Sequence, residues 1–256
     1  MTKYALLFWL MLAGGHLANA QLNESDSIPL QMKFTTTGSY LDGVVNRLLL
    51  VNRAEIAYSR PTWGFSSRND YQFGRTFYRQ TENDVLSYNF LYLKPMRRSY
   101  PYLMLLVETH YRRKINFRYQ PGIGISYNLI QTPHNLLKVS LTGSFEHSKF
   151  GGTNFDNYQN TDPTNDVIET WRATGRVFGR HRLLNNRLRL LYEVWFQQSV
   201  LDGANFRYHT DDALEFPLSK KVAFRLGFRY TFENVKLVGN KPYDLFLTYG
   251  ITLANF

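Results

Sequence analysis

Arginines and carboxylates recur two or four residues apart along this chain, and the spacing limits what they can do together. On an extended backbone side chains alternate between faces, so Arg53 and Glu55, Arg68 and Asp70, Arg172 and Arg176, Arg189 and Glu193, and Arg225 and Arg229 each share a face. Arg118 belongs to the same set, flanked by Phe117 and Tyr119 on the opposite face. Two uses are open to such groups. Rings of arginine lining a channel select anions by charge, whereas interleaved guanidinium–carboxylate forks fill a narrow interior and lock it. Neighbours two apart, Arg53 with Glu55 and Arg68 with Asp70, share a face and so can pair locally.

Other residues with chemical potential are less organised. Glu108 and His110 share a face, as do Arg207, His209 and Asp211, but no Gly-x-Ser-x-Gly elbow accompanies them. A hydrolase needs nucleophile, base and orienting acid within hydrogen-bond reach, and no serine is marked out for that role. No catalytic residue is assigned. Gly122-Ile123-Gly124 precedes no helix, so it is read as relief of crowding inside a strand and not as a nucleotide loop. Asp156, Asp162 and Asp166 lack calcium-loop spacing, and no metal or cofactor site is expected.

The elements that carry these residues are strands. Val222 to Glu233 shows the pattern best: Val222, Phe224, Leu226, Phe228, Tyr230 and Phe232 alternate with Ala223, Arg225, Gly227, Arg229, Thr231 and Glu233. One face wants hydrocarbon along its length and the other carries charge. A closed sheet in a membrane satisfies both, with Phe224, Leu226, Phe228 and Tyr230 toward lipid and the arginines toward the lumen. About twelve such stretches follow Leu30, separated by Gly, Pro, Asn and Asp, with no helical period after the first twenty residues. The fold class expected is all-β, a transmembrane antiparallel up-and-down barrel of about 12 strands spanning 30–256. In the fourth strand, Val85 to Lys94, the outward face is expected to be Leu86, Tyr88, Phe90 and Tyr92. The third strand is expected to run from Thr62 to Gly74, so that it stops ten residues before the fourth begins. Asp212 falls on the lipid-facing register, which a bulge or a place near the membrane surface would explain. The apolar positions of the last strand are out of step with Phe256, which a bulge near Ala254 or an early strand end would reconcile.

The first twenty residues differ from the rest. Lys3 precedes an apolar run from Tyr4 to Ala13, and Ala18-Asn19-Ala20 has the small-x-small form of a signal-peptidase site. Cleavage is expected between Ala20 and Gln21, with 1–20 a signal peptide and 21–29 a flexible periplasmic lead-in. Removing Lys3 takes the net charge from +10 to +9. A basic exported chain without helix-turn-helix pattern or basic helix points away from nucleic acid and toward anionic headgroups or solutes. Absence of cysteine removes disulfides and thiol chemistry. Eighteen tyrosines and nineteen phenylalanines beside a mean hydropathy of -0.35 fit alternating strands and exclude a helical membrane protein.

The segments Pro121-Gly122-Ile123-Gly124-Ile125-Ser126-Tyr127, Leu201-Asp202-Gly203-Ala204-Asn205-Phe206-Arg207 through Leu214-Glu215-Phe216-Pro217-Leu218, and Lys241-Pro242-Tyr243-Asp244 before a Tyr-Gly strand occur in one order. In this the chain resembles the YdiY-like family of salt-induced outer-membrane proteins, a domain of unknown function (481), from about Tyr40 to Phe256. The resemblance implies an outer-membrane barrel of unassigned activity and transfers no catalytic residue.

The combined expectation is a barrel in the outer membrane of a Gram-negative bacterium, with lipid and lipopolysaccharide around it and the assembly machinery recognising Phe256. Its leading use is a narrow pore or uptake protein for small solutes, anions among them. The rival is a structural or envelope-stress barrel closed by salt bridges, and a surface hydrolase comes third.

Overall fold

Alternation of polar and apolar residues over 12 to 17 positions at a time leaves the chain one way to satisfy its backbone without exposing a sheet edge, which is closure. The computed structural model describes residues 29–158 and 162–255. The expected signal peptide, its cleavage between Ala20 and Gln21, all but the last residue of the lead-in, and Phe256 lie outside the described residues. Twelve strands close a barrel: β1 (Leu30–Leu41), β2 (Arg47–Ser59), β3 (Trp63–Thr76), β4 (Arg79–Leu93), β5 (Ser99–His110), β6 (Ile115–Gln131), β7 (Asn135–Phe150), β9 (Val167–Leu183), β10 (Leu188–Ser199), β11 (Phe206–Pro217), β12 (Val222–Glu233) and β14 (Tyr243–Asn255), in the numbering that includes two-residue strands β8 (Phe155–Asp156) and β13 (Lys236–Leu237). Every neighbouring pair is antiparallel, and β14 closes on β1 from Met32↔Asn255 to Gly38↔Tyr249. No helix of the described residues is long and apolar enough to cross a membrane.

The connections are uneven. After β7 and after β12 the chain leaves the barrel for its two longest excursions, and both lie at the same end. There β8 pairs with β13, Phe155 opposite Leu237 and Asp156 opposite Lys236. Phe155, Val235 and Leu237 bury themselves against Ile115, Phe150 and Ile168. A small apolar cap thereby sits over the β6–β7–β9 rim. The opposite end is closed by short turns, as in outer-membrane barrels whose long loops face outward.

The ordinary arrangement of faces holds on most of the wall. Met32, Phe34, Leu103, Ile123, Leu141, Leu226 and Leu247 are exposed outward, while Gln31, Lys33, Thr35, Gln120, Ser144 and Thr252 are buried inward. The wall β3–β5 departs from it. Tyr88, Phe90 and Tyr92, expected outward, face inward and are buried with Tyr100, Tyr102, Met104, Leu106 and Trp195. The register leaves no choice: Tyr88 pairs with Leu106 and Phe90 with Met104, and those β5 residues share the inner face with Tyr102. The outward positions of β4 are Val85, Ser87, Asn89, Leu91 and Leu93. Apolar residues occupy both faces of β4, so alternation alone could not assign its direction.

Three further expectations change. The third and fourth strands are longer than expected, because β3 and β4 run on to a two-residue turn at Phe77-Tyr78, both with positive φ (47° and 65°). Such turns favour Asn-Gly, and an aromatic pair hides the signal. Around Asp212 no bulge is present: Leu191↔Ala213 and Val194↔Thr210 keep one register across the gap. Nor is Asp212 at a rim, since it pairs with Phe228 and that residue with Leu247, midway along their strands. Near Ala254 the bulge is absent as well, with Lys33↔Ala254 following Phe34↔Leu253, which leaves the other alternative, a strand that ends early, untouched.

Candidate functional site: an ion-paired lumen

Alternation delivers the charges to the interior, and barrel closure decides whom they meet. At mid-height Arg53 on β2 holds Asp70 on β3 through the Nε/Nη2 edge of its guanidinium, Nε to Oδ1 at 2.7 Å and Nη2 to Oδ2 at 2.9 Å. Arg53 also bonds Asp211 on β11. Arg229 donates to the same Asp70 at 2.7 Å. Arg68 donates from Nη1 to Glu193 at 2.8 Å, and Arg176 reaches the other oxygen of that carboxylate at 2.8 Å. β3 and β10 stand six places apart in a ring of twelve, so the Arg68–Glu193 pair spans the barrel from wall to opposite wall.

Local pairing of Arg53 with Glu55 and of Arg68 with Asp70 does not occur. Residues two apart on a strand are separated by nearly 7 Å, whereas directly opposed neighbours lie about 5 Å apart. Arg53 faces Asp70 in the β2–β3 register and takes it. Glu55 turns instead to Lys33, 3.9 Å away.

Toward the short-turn end, Glu215 gathers Lys33 at 2.7 Å and Arg225 at 2.8 Å, with Arg189 opposite it in register. Toward the cap, Glu146 accepts the Nε/Nη2 edge of Arg172 at 2.7 and 3.1 Å and is shared with Arg207. Arg118 bonds Glu233 and Glu108, each at 2.8 Å. Arg113 completes this layer through Asp244 at 2.7 Å. All eleven charged candidates read from sequence, Arg53, Glu55, Arg68, Asp70, Arg118, Arg172, Arg176, Arg189, Glu193, Arg225 and Arg229, have their side chains inside the barrel. Phe224, Leu226, Phe228 and Tyr230 lie outside on β12.

Sequence reasoning put Lys33 and Glu146 on inner faces without singling them out, grouped Asp211 with Arg207 and His209 for a different use, and missed Arg113, Asp244 and the inner aromatics. Inward parity is visible from sequence; the partner across a lumen depends on strand tilt and closure, which parity does not contain. Trp195 shows the coupling, for its Nε1 donates to Glu193 while its ring lies 5.1 Å from Tyr88. Gly124 has a local reason of its own. A Cβ there would come within 2.6 Å of the Tyr102 ring, whose hydroxyl bonds Thr142 at 2.6 Å.

The histidines divide between the two faces: His110, 3.6 Å from Asp84 and 3.7 Å from Asp244, and His209 lie in the lumen, while His147 and His181 are on outward positions. His209 Nδ1 is 2.8 Å from the Thr231 hydroxyl, His147 pairs with Glu169, and His181 lies between Asn135 and Tyr192. Among the described residues none is hydrogen-bonded to a serine. In the long loop Asp156 pairs with Lys236, and the hydroxyl and N–H of Thr164 hold the Asp162 carboxyl below its usual range. No group of three or more potential metal ligands occurs among the described residues.

A family model described as a protein of unknown function, DUF481, matches residues 50–254. The chain belongs to the DUF481 family. No curated protein matches its sequence. Among solved structures, this DUF481 chain is similar to the NanC porin at 11% identity, covering 86% of this chain and 97% of that one, with a TM-score of 0.50. The translocator domain of the autotransporter NalP from Neisseria meningitidis is similar at 10% identity, covering 90% of each chain, with a TM-score of 0.48. At 11% identity the likeness of the DUF481 chain to the porin concerns the barrel fold alone.

Proposed function

We propose that this protein is an outer-membrane barrel of Gram-negative bacteria held shut by its own salt bridges, a structural element of the envelope and not a standing pore. The observation that carries the reading is the mid-height plane in which Arg68 meets Glu193 across the full ring while Arg53, Asp70, Asp211 and Arg229 fill the space beside them. Unpaired, each of these buried charges would cost several kcal/mol, so the network resists opening by thermal fluctuation. Outside, the aromatic and aliphatic band that includes Phe224, Leu226, Phe228 and Tyr230 meets lipid, with lipopolysaccharide above it.

Single-channel recording in a planar bilayer tests this. Protein shown to be folded and inserted is expected to give no steady current, and the double variant Arg68→Ala/Glu193→Ala is expected to conduct. A steady, ohmic current from the wild-type chain would overturn the closed reading.

A second reading, a narrow uptake route for small anionic solutes, draws on a specific feature. Cavities of about 80 and 70 Å3 lie on either side of the ion-paired plane, so that one layer of side chains separates them. Reversal potentials favouring chloride under a salt gradient would support it.

A further inference from the structure

The three guanidinium groups best placed to be compared are Arg53, Arg172 and Arg68. Arg53 and Arg172 each present the Nε/Nη2 edge to a carboxylate, Asp70 and Glu146 respectively, in the two-point geometry that matches a carboxylate's two oxygens. Arg68 does not. It spends Nη1 on Glu193 and stacks over Tyr88, with Cζ 4.5 Å from the ring centre, while its Nε and Nη2 are buried without any hydrogen-bond partner. Glu193 takes neither of them, being engaged by Arg68 Nη1 at one oxygen and by Arg176 and the Trp195 indole at the other. Two orphaned donors on one buried cation are costly, and native interiors seldom keep them.

Arg68 lines the 70 Å3 cavity on the short-turn side of the ion-paired plane. Three cations, Arg68, Lys138 and Arg176, and two carboxylates, Glu55 and Glu193, border that space, which leaves it one positive charge in excess. Phe90, Tyr92 and Phe178 supply apolar wall. We infer that this cavity is a binding site for a small organic carboxylate, whose two oxygens take the free Nε/Nη2 edge of Arg68 while its short hydrocarbon part lies against the aromatic wall. The volume admits an acid of only a few heavy atoms. The inference goes beyond the closed-barrel reading and does not rest on it, since a shut lumen can hold a ligand below its plane.

The test is a titration of the membrane-purified protein in detergent with sodium propionate, against sodium chloride at equal ionic strength, read as the thermal unfolding midpoint and by calorimetry. Saturable stabilisation by propionate is expected for the wild-type chain. Arg68→Lys keeps the charge but lacks the two-point edge, and should weaken propionate by roughly tenfold or more. Should that variant fail to fold, Ser66→Leu fills the cavity from its wall without touching the guanidinium, and should abolish the response. Equal effects of propionate and chloride on the folded wild type would overturn the site, as would an undiminished response in Ser66→Leu. Channel recordings are independent of this readout, so failure of the closed-barrel reading leaves a different trace.

Discussion

Strands β12 and β4 alternate with the same period and carry similar numbers of aromatics, yet they are built inside out relative to each other. β12 turns Phe224, Leu226, Phe228 and Phe232 outward and Arg225, Arg229 and Glu233 inward. β4 turns Tyr88, Phe90 and Tyr92 inward and Ser87 and Asn89 outward. The difference lies in what stands opposite. Charges from β12 find carboxylates and guanidiniums on β3, β6 and β11, while the aromatics of β4 find Tyr100 and Tyr102 beside them and Trp195 across the lumen. A lumen this narrow has a core, and a core can be apolar on one wall and ionic on the other.

The outward side of the inverted wall is made tolerable by a closed ring of hydrogen bonds. Ser67 donates to Asn89 at 2.8 Å, Asn89 to Ser87 at 2.9 Å, Ser87 to Asn69 at 2.7 Å and Asn69 back to Ser67 at 2.9 Å. Each side chain both gives and receives, which lowers the cost of facing hydrocarbon.

Substitutions that treat the two walls alike separate them sharply. The largest effect is expected from Phe90→Ala, about 3–5 kcal/mol for a large aromatic removed from a packed interior. Urea unfolding in lipid vesicles would measure it, and a cost below about 1 kcal/mol would mean that the β4 aromatics are not core. Phe228→Arg on the ordinary wall should cost about 2–4 kcal/mol if it meets the bilayer midplane; unchanged stability would break that register. Asn69→Leu opens the ring and strands the Ser87 hydroxyl, for about 1 kcal/mol. The fourfold change Ser67→Ala, Asn69→Leu, Ser87→Ala, Asn89→Leu removes every partner together and should be near neutral or stabilising, since no donor is left stranded. A fourfold variant as impaired as four additive single losses would show that the ring has a role beyond satisfying itself.

How far the sequence could be read follows from the same contrast. Val222 to Glu233 announces its strand, its direction and its neighbours' chemistry because only one of its faces is apolar. Val85 to Leu93 announces only a strand, since Val85, Leu91 and Leu93 compete with Tyr88, Phe90 and Tyr92 for the role of outer face. The turn at Phe77-Tyr78 was invisible because aromatic side chains occupy the left-handed positions that glycine and asparagine normally mark. Within the candidate site, the inward parity of Arg53 and Arg68 was legible, but their partners were not. Asp70 lies one strand away, yet Glu193 lies half the ring away and 125 residues on in sequence, and only closure brings it near.

Pairing between the two longest loops has an immunological consequence. Asp156 and Lys236 are 80 residues apart in sequence, and the surface they make over the buried Phe155 and Leu237 exists only when both segments are folded onto each other. An antibody raised against the whole protein and directed at this cap would recognise a composite epitope, and neither loop given as a free peptide would compete for it.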